Sequence, residues 1–411
     1  MKRRLVVLLT SIYPFDSGEE FIEGEIEYLA ASVERVIVIP VHTPSPKEQT
    51  RQVPPNVEVR TIGEFIDLRT QLTTAINTVL SSPPMLFLHS PKKYLIETRF
   101  AGSARTRFEG VRRALADVDF HEYDSVVFYA YWLVKTAAVA VWMRDGIDHP
   151  NAKAVSRAHR SDLYSDYAWA NHLPARKFLV SSLDMIYPIS NDGKRELIEK
   201  NGAEGDRVVV QRLASKAITE TPRKRPSRTH LVSVSSIIPV KRLDLAANAV
   251  AEAIRRGVDL QWTHVGDSGP ESLQWLRGEI EKLGISKNVD IKGRLTNDAT
   301  MQLLKSTDFT ALMNTSSSEG VPVSIMEAIG SSLPVLCTNV GGSGELIKDG
   351  FNGWLLDVEM GASEIADRIA QIDTISNQKY EEMSRAARDT WERLCKPDHN
   401  YPRFATMLQE L

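Results

Sequence analysis

Twice along its length the chain alternates short runs of β-branched and apolar residues with longer segments of helical spacing, and a stretch rich in proline and arginine separates the two series. Such alternation builds parallel sheets, because a parallel neighbour needs a connection long enough to return to the same edge, and a helix supplies it. The first series predicts strands over 4–10, 35–41, 57–62, 125–130, 153–159, 185–190 and 207–213. The second predicts strands over 230–236, 260–266, 288–293, 308–314, 333–339 and 353–357. The runs are nearly continuous in Val, Ile and Leu, as strands buried on both faces are. A chain of 411 residues exceeds one ordinary core. The expected organisation is therefore α/β, with a first doubly wound domain over 1–218, an exposed linker over 219–229, a second such domain over 230–395 and a last helix over 396–411 packing back on the first.

Composition narrows the function classes. Fifty basic residues against 53 acidic ones give a net charge of −3, so no overall field favours nucleic acid. Only Cys337 and Cys395 occur, neither at a metal-ligand spacing, which fits a reducing cytoplasm. The start, MKRRLVVLLT, reads as a first strand rather than a signal peptide, since its apolar run is short and no small-residue cleavage site follows. Residues 125–143 approach membrane-spanning length, but Lys135 in the middle would cost about 2.5 to 3.5 kcal/mol at a bilayer centre. A buried strand over 126–130 running into a helix from 132 explains them better.

The chemistry gathers where predicted strands end. In open α/β sheets ligands bind beyond the carboxyl ends of the strands, so a cleft between the two domains is the expected site. After the strand over 308–314 comes TSSSEGVPVSIMEAIG, with Pro322 suited to the first turn of a helix and amides around Gly320 to Ser324 suited to an anion. Glu327 lies among Ile325, Met326, Ala328 and Ile329, where a carboxylate should be paired or liganded. For Glu319 and Glu327 alike, an acid favoured by the helix dipole remains the alternative. Lys241 and Arg242 open another predicted helix, an unfavourable end for cations unless an anion binds there. VGDSGP (265–270) and GGSGELIKDGFNGW (341–354) are glycine-bearing turns that permit close backbone approach, and the dinucleotide G-x-G-x-x-G spacing is absent from the first of them. In the first half Gly18 sits in a strand-to-helix turn, and His159 and Asp162 follow a strand. No H-E-x-x-H or Cys/His cluster points to a metal.

Taken together, Glu319 and Glu327 in SSSEGVPVSIMEAIGSSLPVL, with GGSGELIKDGFNGWLL, PVKRLD and THVGDSG, resemble the group 1, or family 4, retaining glycosyltransferases. The likeness spans nearly all of 229–360. The first half is similar more loosely, through YPFDSGEEFIEGEIEYLA, YAYWL, SRAHRSDLY and YPISNDGKRELIEKNG, to a bacterial branch acting in envelope or exopolysaccharide assembly. The resemblance implies a GT-B fold, two Rossmann-like domains facing across a cleft that holds a nucleotide-sugar, with no cofactor and no required metal. It implies that Glu327 holds the ribose hydroxyls and that Glu319 lies near the donor sugar, with backbone amides of Gly320, Val321 and Pro322's neighbours orienting it. Lys241 would neutralise the departing diphosphate, with Arg242 beside it. Arg294 and Leu295 would flank the base, Gly18 would approach the phosphates, and His159 would contact the sugar. One departure is plain: where many members carry a phosphate-binding Arg before this Lys, the chain has Ser236.

The implied reaction transfers a hexosyl or N-acetylhexosaminyl unit, with retention, from a UDP- or GDP-linked donor to a glycan or lipid-linked acceptor. The first domain should choose the acceptor. Its segment 90–113 carries Lys92, Lys93, Arg99, Arg105, Arg107, Arg112 and Arg113 against Glu97 and Glu109, interleaved with Tyr94, Leu95, Phe100 and Phe108. Such a stretch suits an anionic membrane surface, so the protein is expected in the cytoplasm and peripheral on the inner face of the cell membrane, with no nucleic-acid partner. A solvated charged face is the alternative for that segment. Two other functions share the architecture: a catalytically silent GT-B partner subunit, for which Ser236 speaks, and a nonhydrolysing UDP-sugar epimerase, for which the first half offers no paired acids.

Overall fold

A computed structural model describes residues 3–16, 18–43, 48–63, 90–218 and 221–411, and the structure divides into two units: residues 1–213 with 397–411, and residues 214–396. In the first unit β1 (Arg4–Thr10), β2 (Arg35–Pro40), β3 (Val57–Val59), β4 (Ser125–Ala130), β5 (Ala152–Ala158) and β6 (Met185–Pro188) form a parallel sheet in the order β3-β2-β1-β4-β5-β6. Its helices are α1 (Phe21–Ser32), α2 (Pro91–Ala114), α3 (Lys135–Gly146), α4 (Arg176–Ser182) and α5 (Asn191–Arg195). Strand β1 shows why continuous apolar runs are needed. Leu5, Val7 and Leu9 pack on the face covered by α2 and α3, whereas Val6 and Leu8 pack on the opposite face with α1. The last helix of the chain, Pro397–Gln409, covers that second face, where Phe404 meets the rings of Tyr129 and Tyr187.

Beneath Phe404 lies a buried ion pair. Arg157 of β5 donates to Glu25 of α1, to the Tyr129 hydroxyl and to the Gln211 carbonyl, and its guanidinium stacks on Phe404 at 4.2 Å. A fully buried guanidinium is tolerated only when its donors are taken up, and here all three nitrogens have acceptors.

The second unit repeats the plan with β7 (Thr229–Val234), β8 (Leu260–Val265), β9 (Val289–Gly293), β10 (Ala311–Asn314), β11 (Val335–Thr338) and β12 (Gly353–Leu356), ordered β12-β11-β10-β7-β8-β9. Read from the other edge this is the same order as the first sheet. Around it lie α6 (Leu243–Arg255), α7 (Pro270–Lys282), α8 (Asn297–Ser306), α9 (Val323–Gly330), α10 (Ser343–Leu346), α11 (Ala362–Asp373) and α12 (Asn377–Leu394). Each unit thus has a Rossmann-like, doubly wound strand order.

Three expectations need correction. The strand expected over 207–213 does not form: Val209 and Gln211 amides reach the Ile186 and Pro188 carbonyls, but Arg157 takes the Gln211 carbonyl and Asn400 the Leu213 carbonyl, so no continuous ladder develops. The helix expected from 132 begins at Lys135, because 131–134 make a turn that Trp132 and Leu133 anchor through their N–H groups. The exposed linker expected over 219–229 is not exposed at its arginines; residues 219 and 220 lie outside the described residues. Arg223 donates to the carbonyls of Leu304, Thr307 and Ser331, at the ends of α8 and α9, and Arg225 donates to Asp373 at the end of α11. The last carbonyls of a helix lack intrahelical partners and carry the negative end of its dipole, which is where a guanidinium is favoured.

Arg223→Ala should therefore lower the stability of the second unit by about 2 to 3 kcal/mol, the scale of losing charged hydrogen bonds to buried acceptors. Arg223→Lys should recover less than half, since one ammonium cannot span three carbonyls. Urea denaturation checks both; a loss within experimental error would mean that water replaces the bonds.

Candidate functional site

In the second sheet the order reverses between β7 and β10, so the loops after these two strands part company at the carboxyl edge. The loop after β7 runs through a single turn at Pro239–Lys241, and Arg242, with φ +48° and ψ 47°, precedes α6. The loop after β10 carries Glu319. Its Oε1 accepts from Lys241 Nζ at 2.6 Å, from Ser316 Oγ at 2.6 Å and from Asn314 Nδ2 at 3.2 Å. Glu319 is buried and Lys241 is 18% exposed, so this is a partly desolvated ion pair rather than a surface contact. A small crevice beside it is lined by Ser235, Lys241, Asn314 and Ser316.

The two loops are stitched to each other by backbone. The Ser317 amide donates to the Val240 carbonyl at 2.8 Å, and Thr315 Oγ1 donates to the carbonyls of Lys241 and Arg242. Arg242, expected to meet an anion, fastens this assembly through two nitrogens: its Nε reaches the Thr315 carbonyl at 2.6 Å and its Nη1 the Val358 carbonyl at 2.7 Å, while its buried Nη2 has no hydrogen-bond partner among the described residues. Gly341 has φ +53°, and a Cβ there would sit 1.8 Å from the Glu319 carbonyl oxygen, while the Gly342 amide donates to the Gly320 carbonyl at 2.6 Å. The glycine-rich turn is thus required by close approach to the loop that bears Glu319.

Helix α9 starts beyond that loop. Pro322 stands just before its first residue, with ψ 121°, rather than inside the first turn, and its carbonyl accepts the Ile325 and Met326 amides. Gly320, Val321 and Pro322 are all buried. Glu327, in the second turn, is also buried, and its Oε1 accepts from Asn297 Nδ2 at 2.6 Å. Burial pushes its carboxyl up to about 7, against the opposing pull of the Asn297 hydrogen bond. Asn297 opens α8, whose start is capped by Thr296 Oγ1 accepting from the Ala299 amide. The preceding turn is held by Asp267, which accepts from the Arg294 and Gly269 amides at 2.8 and 3.0 Å. The Arg294 side chain is exposed and Leu295 is half-buried.

The first sheet reverses its order between β1 and β4, and a second set of groups lies at that edge. Glu19 accepts the Ser11, Ile12 and Tyr13 amides, each at 2.8 Å, and the Trp132 indole N–H at 2.6 Å. Gly18, at φ +108°, lets the chain turn into that carboxylate, and its carbonyl accepts from Arg51 at 2.6 Å. His159 is buried between the rings of Tyr131 and Trp132, 4.9 and 4.5 Å away between centroids. Its amide donates to Asp162 Oδ1 at 2.6 Å, while among the described residues neither ring nitrogen has a hydrogen-bond partner. Burial pushes the Asp162 carboxyl up, but the adjacent His159, the Leu133 amide and Arg176 together hold it below the usual carboxylate range.

The sequence-predicted residues therefore fall into two groups. Lys241, Arg242, Glu319 and Gly320 meet at the reversal of the second sheet, with Glu327 on the helix that follows; Gly18 and His159 stand at the equivalent edge of the first. Asn297, Asp267 and Glu19 were not singled out by sequence reasoning. The available signal was polar residues at the carboxyl ends of predicted strands, which is too common to select one.

Residues 215–390 match the family described as glycosyl transferases group 1. The putative colanic acid biosynthesis glycosyltransferase WcaL of Salmonella typhimurium is 26% identical over 238 residues, covering 56% of this chain and 58% of that protein. The protein of the same description from Escherichia coli K12 is 25% identical over 260 residues, covering 62% of this chain and 63% of its own. The match thus spans less than two thirds of the length of these curated relatives. Among solved structures, Anabaena HepE in complex with UDP has a TM-score of 0.66 at 18% identity, covering 99% of this chain and 100% of that one. Sucrose-phosphate synthase from Thermosynechococcus elongatus has a TM-score of 0.73 at 13% identity, covering 100% of this chain and 99% of that one. At such identities the likeness is one of fold.

The raised Glu327 carboxyl carries a stability signature. Its folded value of about 7 exceeds the ordinary 4.5, so the folded state binds the proton more tightly and stability falls as pH rises between those values. Glu327→Gln keeps the acceptor for Asn297 and removes the titration. The variant should gain up to about 3 kcal/mol over wild type between pH 4.5 and 7, with the difference level above that. Denaturation of both proteins across that range measures it; parallel curves would place the carboxyl at its ordinary value.

Proposed function

We propose, on the match of residues 215–390 to the family described as glycosyl transferases group 1, that the protein moves a hexosyl or N-acetylhexosaminyl unit from a nucleotide-sugar to a hydroxyl of a glycan or lipid-linked acceptor in envelope polysaccharide synthesis. The observation that carries the reading is the Lys241–Glu319 pair at the reversal of the sheet, with the buried Glu327 one helix further on. UDP is the favoured nucleotide, since Anabaena HepE is known in complex with UDP and with UDP-glucose.

The roles follow from the chemistry of each group. Ionised Glu327, with Oε1 held by Asn297, keeps lone pairs for the two hydroxyls of a ribose. An arriving diphosphate competes with Glu319 for Lys241, whose ammonium neutralises the charge that develops as the sugar leaves. That is a task otherwise given to a metal ion, so transfer without added metal is part of the proposal. Glu319, buried among Asn314 and Ser316, is poised to accept hydrogen bonds from the donor sugar, and the amides following Gly320 help to orient it. In the first unit, Gly18 would approach the phosphates and His159, whose Nδ1 lies 3.7 Å from Asp162 Oδ2 and whose Nε2 makes no hydrogen bond among the described residues, would hydrogen-bond to the sugar. Arg242 then serves the site by holding the loop rather than the phosphate.

For the transfer itself we favour retention by front-face attack. The bond from the anomeric carbon to the diphosphate breaks, the acceptor oxygen bonds to that carbon on the same face, and the departing phosphate oxygen takes the acceptor's proton. Among the described residues no helix is long and apolar enough to cross a membrane, and the cations of α2 support a peripheral position on the inner membrane face.

A thermal-shift panel of UDP- and GDP-sugars should find one donor that stabilises the protein, and Glu327→Ala should weaken that donor at least tenfold, about 1.4 kcal/mol. Equal binding by the variant would remove Glu327 from the ribose, and silence toward every donor would favour a silent partner subunit. Lys241→Ala should depress turnover more than donor affinity, because the charge it meets develops chiefly as the bond breaks. Wild-type turnover should survive chelation by EDTA; its loss would refute the metal-free reading.

A further inference from the structure

Strand β9 lies at the edge of the second sheet and pairs with β8 alone, so it has no strand on its outer side. The ladder between the two shifts register at His264 and Val265, and Gly293, at φ +67°, ends β9 in a left-handed turn. A loop that leaves an edge strand in this way is free to move unless other groups hold it. Residues 294–296 are held at both ends. Asp267, half-buried in the turn after β8, accepts the Arg294 amide at 2.8 Å through Oδ2 and the Gly269 amide at 3.0 Å through Oδ1. At the other end Thr296 caps α8, whose first residue, Asn297, donates to Glu327.

The turn that carries Asp267 is itself fixed against the site. The Gly266 amide donates to the Gly293 carbonyl at 2.7 Å, and a Cβ on Gly266 would lie 2.1 Å from the carbonyl oxygen of Ser235, a residue of the crevice beside Lys241. Only glycine, here at φ +119°, permits that approach. The Ser235 amide in turn donates to the Val265 carbonyl at 3.0 Å. The loops after β7, β8 and β9 are therefore bonded in series, from the crevice beside Lys241 to the helix start that meets Glu327. Within that series Asp267 is the side chain that joins the second loop to the third.

A nucleotide whose ribose hydroxyls meet Glu327 carries its base on the adjoining ribose carbon, and the stretch of chain leading into Asn297, the partner of Glu327, is 294–296. There the Arg294 carbonyl and the Leu295 amide make no hydrogen bond among the described residues, which sets an acceptor beside a donor. Bases differ in how donors and acceptors alternate along their edges, so such a pair discriminates among them only when its direction is fixed. We propose that Asp267 is a positioning residue for base selection: by holding the Arg294 amide it sets how residues 294–296 meet the nucleobase, and so which nucleoside diphosphate the second unit prefers. Base selection at this loop presupposes the nucleotide-sugar donor proposed above, with its ribose at Glu327. Asp267 acts through the loop, since both its oxygens are turned to backbone amides.

Calorimetric titration of UDP, GDP, CDP and ADP into the full chain and into Asp267→Ala, Asp267→Asn and Glu327→Ala tests this. Wild type should prefer one base by about tenfold or more, the scale of one well-placed pair of hydrogen bonds. Asp267→Ala should bind the preferred nucleotide as weakly as the others, whose affinities stay where they were. Asp267→Asn keeps an oxygen for the Arg294 amide and should fall between wild type and Asp267→Ala, so either variant alone decides the outcome if the other does not fold. Glu327→Ala should weaken all four nucleotides alike and leave the preference intact, because the ribose is common to them. Equal weakening of all four by the Asp267 variants would show a merely structural role, and an unchanged preference would show that the loop is held without Asp267. Either result overturns the proposal, as does a wild type that binds all four equally, and each leaves the nucleotide-sugar reading standing. A wild type that binds none of the four overturns both.

Discussion

A parallel sheet whose strand order reverses part-way leaves a place where two neighbouring loops turn to opposite faces, and most of the groups discussed above sit in or beside such a place. In the second unit the reversal lies between β7 and β10, and the Lys241–Glu319 pair spans it. Each partner makes the other tolerable. A lysine just before a helix start opposes the dipole, and a buried carboxylate without donors would be costly, but together with Asn314 and Ser316 they form a satisfied cluster. The supports around them follow from that: Arg242 and Thr315 fix the loops, and Gly341 supplies the room for backbone to lie against Glu319.

The first unit meets the same constraint with different chemistry. There a single carboxylate, Glu19, takes up three successive amides of the loop after β1 and the Trp132 indole. Those amides are consequently engaged within the protein, and positive charge at this edge comes from side chains, Lys135 and Arg107, instead. One topology therefore yields two unlike environments, one built around a cation–carboxylate pair and one around a carboxylate that takes up successive backbone amides.

Much of this was legible before any coordinates. Strands such as β1 and β4 place alternate residues on two buried faces, so the apolar run itself specifies them once a signal peptide and a membrane span are set aside. The acids at 319 and 327 stood out because a buried carboxylate beside a helix start needs a reason. What failed did so at long range. Residues 207–213 read as a strand from composition, yet Asn400 and Arg157, distant in sequence, claim their carbonyls. Arg223 and Arg225 read as solvated linker charges, yet the ends of α8, α9 and α11 fold around them.

Hydrophobic periodicity and glycine placement, both local properties, determined from the sequence alone that the chain forms two doubly wound units and where their strands end. Partnership was decided only in three dimensions, because a hydrogen bond or ion pair depends on distance and not on separation along the chain. Lys241 and Arg242 are adjacent residues of one type of charge, but one meets a carboxylate and the other two carbonyls. Likewise, the cations of α2 form a single basic stretch in sequence, and only the helix's packing divides those that share Glu109 from those that surround a cavity.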